Sequence, residues 1–261
     1  MNKFVYKDFY DKVGLRNGWD FSKLQVVTEG ALWDFDQEVT ARCTKSDLLL
    51  DIGTGGGERL LSHADAALLL VGIDHSNQMI RTANANLQMA KKPNVRFLHM
   101  DAENLLFPAD FFQVATCRQS NFDAGQVAKV LVQDGVFLTQ QVGERDKYNL
   151  KQAFGRGQDV GIDGGVLRDR YLYELAEAGF TDIRSFEYDA AEYYQSFEDL
   201  VFLLKHTPIV PNFGEYDHDF DILQKFIEAN QTDKGIKTNS DRFMIIAKAG
   251  SRSYKKGAYL Q

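Results

Sequence analysis

Leu48-Leu49-Leu50-Asp51-Ile52-Gly53-Thr54-Gly55-Gly56-Gly57-Glu58 decides the fold of this chain. The apolar run reads as a buried strand, the glycines as a tight turn, and the residues from Glu58 onward as a helix. Glycine lets the backbone turn sharply and lets a ligand approach the main chain, while unpaired N–H groups at the helix start attract negative charge. A dinucleotide loop wants G-x-G-x-x-G/A, but the sixth residue from Gly53 is Glu58, which breaks that pattern. Asp51 ahead of the loop would repel a pyrophosphate and would suit an ammonium group. A nucleotide-cofactor oxidoreductase is therefore the weaker reading.

Outward from the loop, short apolar runs alternate with amphipathic stretches, which predicts an α/β fold with a doubly wound, mostly parallel sheet. The expected strands are 47–52, 68–74, 95–100, 112–117 and 136–141, followed by a final pair at 183–188 and 243–248, seven in all. Ser76 stands as N-cap of a helix over 77–90, in which Met79, Ile80, Ala83 and Leu87 recur at helical spacing. A short helix is expected over 125–132 and an amphipathic one over 167–178, with Gly179 just beyond it. Asp74 closes the second strand and Asp101 follows the third. A carboxylate at the second strand end can accept from both hydroxyls of a ribose, and one at the third can accept from an adenine amino group. Three carboxylates at successive strand ends describe an adenosine with a zwitterionic tail.

The chain divides, on this reading, into an N-terminal helical lid segment (1–46), a core (47–190 with 241–250) and an inserted substrate cap (191–240). Its 261 residues are 44% apolar and 26% charged, so disorder and fibrous classes are excluded. A formal net charge of −7 opposes a nucleic-acid substrate. No apolar run is long enough to span a bilayer, no signal-peptide pattern opens the chain, and there are only two cysteines, Cys43 and Cys117. Together these predict a cytoplasmic protein without membrane insertion. No His or Cys pair has ligand spacing, so no metal is expected. Of 32 aromatic residues, eight lie in 1–35 and nine in 186–220, against six in 48–146, so the cofactor core is aromatic-poor and its flanks aromatic-rich.

The ordered motifs resemble the class I S-adenosylmethionine-dependent methyltransferases, nearest to the small-molecule branch that includes the ubiquinone/menaquinone biosynthesis enzymes. The matching pieces are Leu50–Gly57, Gly72-Ile73-Asp74-His75-Ser76 with Met79-Ile80, Asp101-Ala102-Glu103 with Leu106-Phe107-Pro108, Thr116-Cys117-Arg118, and Val130–Gly135. The resemblance implies S-adenosylmethionine as cofactor and S-adenosylhomocysteine as product. It implies that Asp51, Gly53, Thr54, Gly55 and Gly57 hold the methionine end with Arg118 nearby, and that Asp74 holds the ribose. Asp101 and Ala102 would hold the adenine, with His75 and Met79 packed on its ring. Ser120-Asn121 stands where relatives often carry a histidine pair, so the groups facing the substrate are this chain's own.

No dedicated catalytic residue is identified, and none is required when the leaving group is a sulfonium. The acceptor is expected to be a small molecule in an apolar pocket walled by the aromatic flanks, with Tyr6, Tyr10, Trp33, Asn121 and Tyr193 as candidate contacts. A non-catalytic S-adenosylmethionine-binding module has the same motifs and is the alternative reading.

Overall fold

A computed structural model describes residues 24–251. Its strands are β1 (Val26–Glu29), β2 (Leu48–Ile52), β3 (Leu69–Asp74), β4 (Val95–His99), β5 (Phe112–Arg118), β6 (Leu131–Val142), β7 (Phe180–Tyr194), β8 (Gln231–Thr232) and β9 (Gly235–Ala249). They form one sheet in the order β1-β7-β9-β6-β5-β2-β3-β4, with β8 paired to β9. β2 through β6 pair in parallel, whereas β9 pairs antiparallel with β6, β7 and β8, and β1 pairs antiparallel with β7.

The helices are α1 (Phe35–Thr40), α2 (Glu58–Ser62), α3 (Asn77–Ala90), α4 (Ala124–Val130), α5 (Tyr148–Phe154), α6 (Val166–Glu177), α7 (Phe197–His206) and α8 (Asp219–Asn230). Helix α3 starts where its cap residue dictates: Ser76 Oγ accepts from the Met79 amide at 3.3 Å. Lys91 ends it in a left-handed conformation (φ 53°).

The parallel strands are buried on both faces, and the two faces have separate cores. Leu50, Ile52, Cys117, Phe137 and Phe243 point to one; Leu49, Leu70, Val114, Leu138 and Met244 point to the other, beneath α1, α2 and α3. A third cluster lies beyond the sheet's carboxyl edge, where Leu200, Leu203, Leu204, Leu223 and Phe226 pack on Leu150, Tyr194 and Ile236. Each such side chain contributes about 1.5–3 kcal/mol on full burial, so α7 and α8 are fixed to the strands beneath them.

The sheet has nine strands where seven were expected. The two extra strands are β8, a two-residue piece paired to β9, and β1, a four-residue edge whose Val-Val-Thr run favours extended backbone. The described part of the N-terminal segment, 24–46, therefore contains a strand as well as the six-residue helix α1. The expected strands 183–188 and 243–248 are the middles of two much longer ones. β7 and β9 run in unbroken register from the Arg184–Ile246 pair to the Tyr194–Ile236 pair, so the 191–240 segment begins and ends inside the sheet. Leu131, expected at the end of a helix, instead pairs with Phe112 at the start of β6, ahead of a register shift.

Candidate functional site

Strand order reverses between β2 and β5, and the crevice at such a switch point is where open α/β sheets bind ligands. A cleft of about 1020 Å³ opens there and extends towards α7. Asp51, Gly53, Thr54, Gly55, Asp74, His75, Met79, Asp101, Ala102, Arg118 and Asn121 all line it. Gly57 does not. It lies beneath the loop in a left-handed conformation (φ 77°), where a Cβ would stand 2.3 Å from the Phe97 ring.

The loop's shape follows from a few contacts. Gly53 and Thr54 both donate from their amides to the Ile73 carbonyl at 2.9 Å, tying β2 to the end of β3. Ser120 lies directly on the loop, leaving no room at Gly53, where a Cβ would fall 2.3 Å from Ser120 Oγ. Ser120 is itself positioned by Gln141, whose Nε2 donates to the Ser120 carbonyl at 2.8 Å and to Thr139 Oγ1 at 2.8 Å. Cys117 Sγ donates to the same carbonyl at 3.1 Å. Burial pushes the Cys117 thiol pKa up, which keeps it a neutral donor and not a nucleophile.

The three strand-end acids differ. Asp51 accepts from Thr116 Oγ1 at 2.8 Å, and burial raises its pKa despite that bond. An ammonium group beside it would restore the charged form. Asp74 accepts from the Gly55 amide at 3.0 Å through Oδ2 and from the Ser76 amide at 2.8 Å through Oδ1, so it joins the glycine loop to the start of α3. Asp101 is exposed and accepts from the Glu103 amide at 3.0 Å. His75 reaches Asp74 at 3.7 Å, and its carbonyl takes the His99 ring at 2.9 Å.

Arg118 projects from the end of β5. Its Nε is buried and has no hydrogen-bond partner among the described residues. Burial lowers its pKa to about 10, helped by the charges of Arg59 and Arg242 and opposed by Asp36. Asp36, which begins α1, accepts from His63 Nε2 at 3.2 Å and pairs with Arg59. Burial alone would raise the Asp36 pKa, but His63, Arg59 and Arg118 hold it at about 2.

The far wall of the cleft was not anticipated. It holds a buried network in which Lys147 Nζ contacts Asp146 at 3.2 Å and Glu192 at 2.9 Å. Arg242 pairs with Asp146, and the Tyr194 hydroxyl donates to Glu192 at 2.8 Å. Asp146 keeps a lowered pKa: burial opposes its charge, and the Arg242 and Lys147 charges overcome that. Leu203, Thr207, Pro208 and Ile209 of the cap complete this wall, and among the described residues Phe35 and Tyr194 are the flank aromatics that line the cleft.

Two expected substrate contacts lie elsewhere. Trp33 stacks on Tyr188 with centroids 4.4 Å apart and donates to Gln140 Oε1 at 2.7 Å, beside a smaller groove. Tyr193 alternates with Tyr194 along β7 and so turns to the opposite face, where Lys234 lies 5.6 Å from its ring. Phe197 and Phe213 pack the third core, and Phe202 stacks on His206 at 4.1 Å. Tyr6 and Tyr10 lie outside the described residues. Asn121 does face the cleft, with the Tyr171 hydroxyl donating to its Oδ1 at 3.4 Å. Among the described residues no group of three His, Cys, Asp or Glu is arranged to hold a metal ion.

Comparison with known proteins bears on this geometry. Residues 49–133 match the family model described as a methyltransferase domain. The stretch runs from β2 through the start of β6 and contains all three strand-end acids. Over residues 49–133 the chain is therefore similar to methyltransferase domains. Over 106 residues the chain is 36% identical to an uncharacterized methyltransferase, YcgJ, of Bacillus subtilis strain 168, a match covering 38% of this chain and 42% of that one. The chain thus spans less than half the length of the curated relative it matches. The solved YcgJ structure superposes with a TM-score of 0.60 at 20% identity, over 84% of this chain and 97% of the other. The [4+2]-cyclase SpnF gives a TM-score of 0.59 at 17% identity, over 95% and 96%. A phosphoethanolamine N-methyltransferase of Haemonchus contortus, solved with S-adenosylhomocysteine, gives 0.53 at 16% over 84% and 53%. These superpositions establish the fold of the methyltransferase domain. A cyclase shares it, so the reaction has to be argued from the site. Placement near the quinone-biosynthesis branch rests on the sequence motifs alone.

Proposed function

We propose that this chain is an S-adenosylmethionine-dependent methyltransferase that moves a methyl group to a small-molecule acceptor by in-line displacement. The observation that carries the reading is the convergence of Asp51, Asp74 and Asp101 with the glycine loop on one cleft that continues to a separate, polar wall. The chemistry of the near wall fits the cofactor. Asp51, whose buried carboxyl makes no ion pair among the described residues, complements an ammonium. Asp74 lines the cleft at the junction of the loop and α3, where a carboxylate complements hydroxyl donors. Met79 and Ala102 offer apolar contact to a purine ring.

When bound, the cofactor supplies a methyl group on a sulfonium leaving group. The chain's own residues then have three tasks. The loop and its acids fix position, which is the main source of rate when the leaving group is already good. Phe35, Leu203 and Ile209 exclude water from the far side. Asn121, held by Tyr171, can orient a polar group of the acceptor. The 1–46 segment as lid, 191–240 as substrate cap, and a cytoplasmic setting belong to the same proposal. It draws support from the net charge of −7 and from the absence, among the described residues, of a helix long and apolar enough to cross a membrane.

Calorimetry with S-adenosylhomocysteine and NAD tests the cofactor. Binding of the first and not the second is expected, and the converse would end this reading. Transfer of labelled methyl from S-adenosylmethionine into a small-molecule extract tests the reaction. Cofactor binding without transfer to any fraction would favour the non-catalytic module.

A further inference from the structure

Arg118 and Arg242 have donors that no hydrogen bond among the described residues satisfies. In β5–β6 pairing Arg118 lies opposite Gln140, and in β6–β9 pairing Val142 lies opposite Arg242. Gln140 and Val142 are two residues apart, so both arginines project from the same sheet face with a single strand between them. Two strand spacings and a two-residue offset along β6 put their Cα atoms about 12 Å apart, within the combined reach of two arginine side chains. Both line the cleft. Nη1 of Arg242 is used by Asp146 Oδ1 and the Asp241 carbonyl, while its Nη2 and Nε make no hydrogen bond among the described residues. Arg118 has neither a hydrogen bond nor an ion pair there, and its Nε is buried.

The acids nearest the two arginines are already engaged. Asp36 pairs with Arg59 and His63, and Asp146 and Glu192 are shared by Lys147 and Arg242. Arg118 makes no ion pair among the described residues and feels Asp36 only as a carboxylate shared with Arg59 and His63. A buried guanidinium without a partner is costly, and a planar carboxylate that accepts from two such forks relieves the cost.

We propose that Arg118 and Arg242 together seat an anionic group of the acceptor, so that the substrate is a small carboxylic acid or a comparable monoanion. The proposal rests on the methyl-transfer reading, because it takes the cleft beyond the glycine loop as the acceptor's place. Arg242 is then the specificity-determining residue, since it stands on the wall away from the loop. The same seat could be claimed by the carboxylate of the cofactor's methionine tail, and the test separates the two sources.

Benzoate and its uncharged analogue benzamide are titrated by NMR onto the full chain saturated with S-adenosylhomocysteine. Benzoate is expected to bind at least tenfold more tightly than benzamide. Arg242→Lys, which keeps a cation against Asp146 but removes the outer fork, is expected to erase that preference while leaving S-adenosylhomocysteine affinity and melting temperature near those of the parent. Equal binding of benzoate and benzamide, or absence of benzoate binding, overturns the proposal. Benzoate that binds only in competition with S-adenosylhomocysteine also overturns it, by assigning the seat to the cofactor. If S-adenosylhomocysteine itself fails to bind, the methyl-transfer reading fails first, and benzoate against benzamide on the bare chain still tests the two-arginine seat.

Discussion

Replacing Asp74 by Asn tests the cofactor side of the cleft most directly, because the residue serves two purposes of different size. Its carboxylate is 8% exposed and accepts from the amides of Gly55 and Ser76. Asparagine keeps the shape but offers one oxygen, so one of those N–H groups must face an NH₂. A buried donor without its acceptor costs about 1–3 kcal/mol. For a domain of this size that is about 2–4 °C of melting temperature per kcal/mol, hence a fall of roughly 2–12 °C.

Ligand binding reports the second purpose. If Asp74 also takes ribose hydroxyls, the loss of charge-assisted bonds weakens S-adenosylhomocysteine by about 1–3 kcal/mol, roughly 5- to 150-fold. Differential scanning calorimetry and isothermal titration, the latter at 15 °C where the variant stays folded, give the two numbers separately. A lower melting temperature with affinity unchanged within twofold would make Asp74 a structural tie alone. An unchanged melting temperature would refute the contact argument itself.

Gly57→Ala is expected to lose about 2–5 kcal/mol in urea unfolding, from the left-handed φ and the Phe97 ring 2.3 Å from the new carbon; a loss under 1 kcal/mol would show that the loop backbone can relax. Lys147→Met leaves Glu192 without its cation inside the far wall and should cost about 3–5 kcal/mol, measured by the same unfolding curves. A neutral effect there would mean that water already screens the network. Asp36 is held at about 2 against an ordinary 3.8, so the native state binds its proton less readily than the unfolded chain does. Its contribution to stability is complete above about pH 4 and is lost as pH falls through about 2; in Asp36→Asn the slope of melting temperature against pH between these limits should flatten.

The parallel half of the fold was legible because strict apolar runs, a glycine turn and a serine cap each allow one local structure. Leu48–Ile52, Ser76 and the strand-end acids are examples. The far wall was not legible because its residues come from four separated places and carry no local pattern. Glu192 and Tyr194 sit in a strand whose alternation fades into Ala190-Ala191, and Lys147 occupies a left-handed position (φ 53°) between elements. The count of flank aromatics drew attention to rings and not to the charged residues beside them. Most of the flank rings among the described residues pack the cap or stack away from the cleft, while Glu192 and its charged partners face it. Reading 183–194 with a period of two would have placed Tyr188, Glu192 and Tyr194 on one face and Tyr193 on the other.

The uninterrupted pairing of β7 with β9 also limits how this molecule can open. The two strands that carry Glu192 and Arg242 continue without a break into the cap, so no pivot separates the cap from the sheet. Movement of a ligand in or out therefore falls to the loops around the mouth and not to a swinging lobe. The segment between Tyr194 and Gly235 is held at both ends by a fixed backbone frame. It can be exchanged as a cassette, with its splice points set by strand register, while the two arginines and the glycine loop stay where they are.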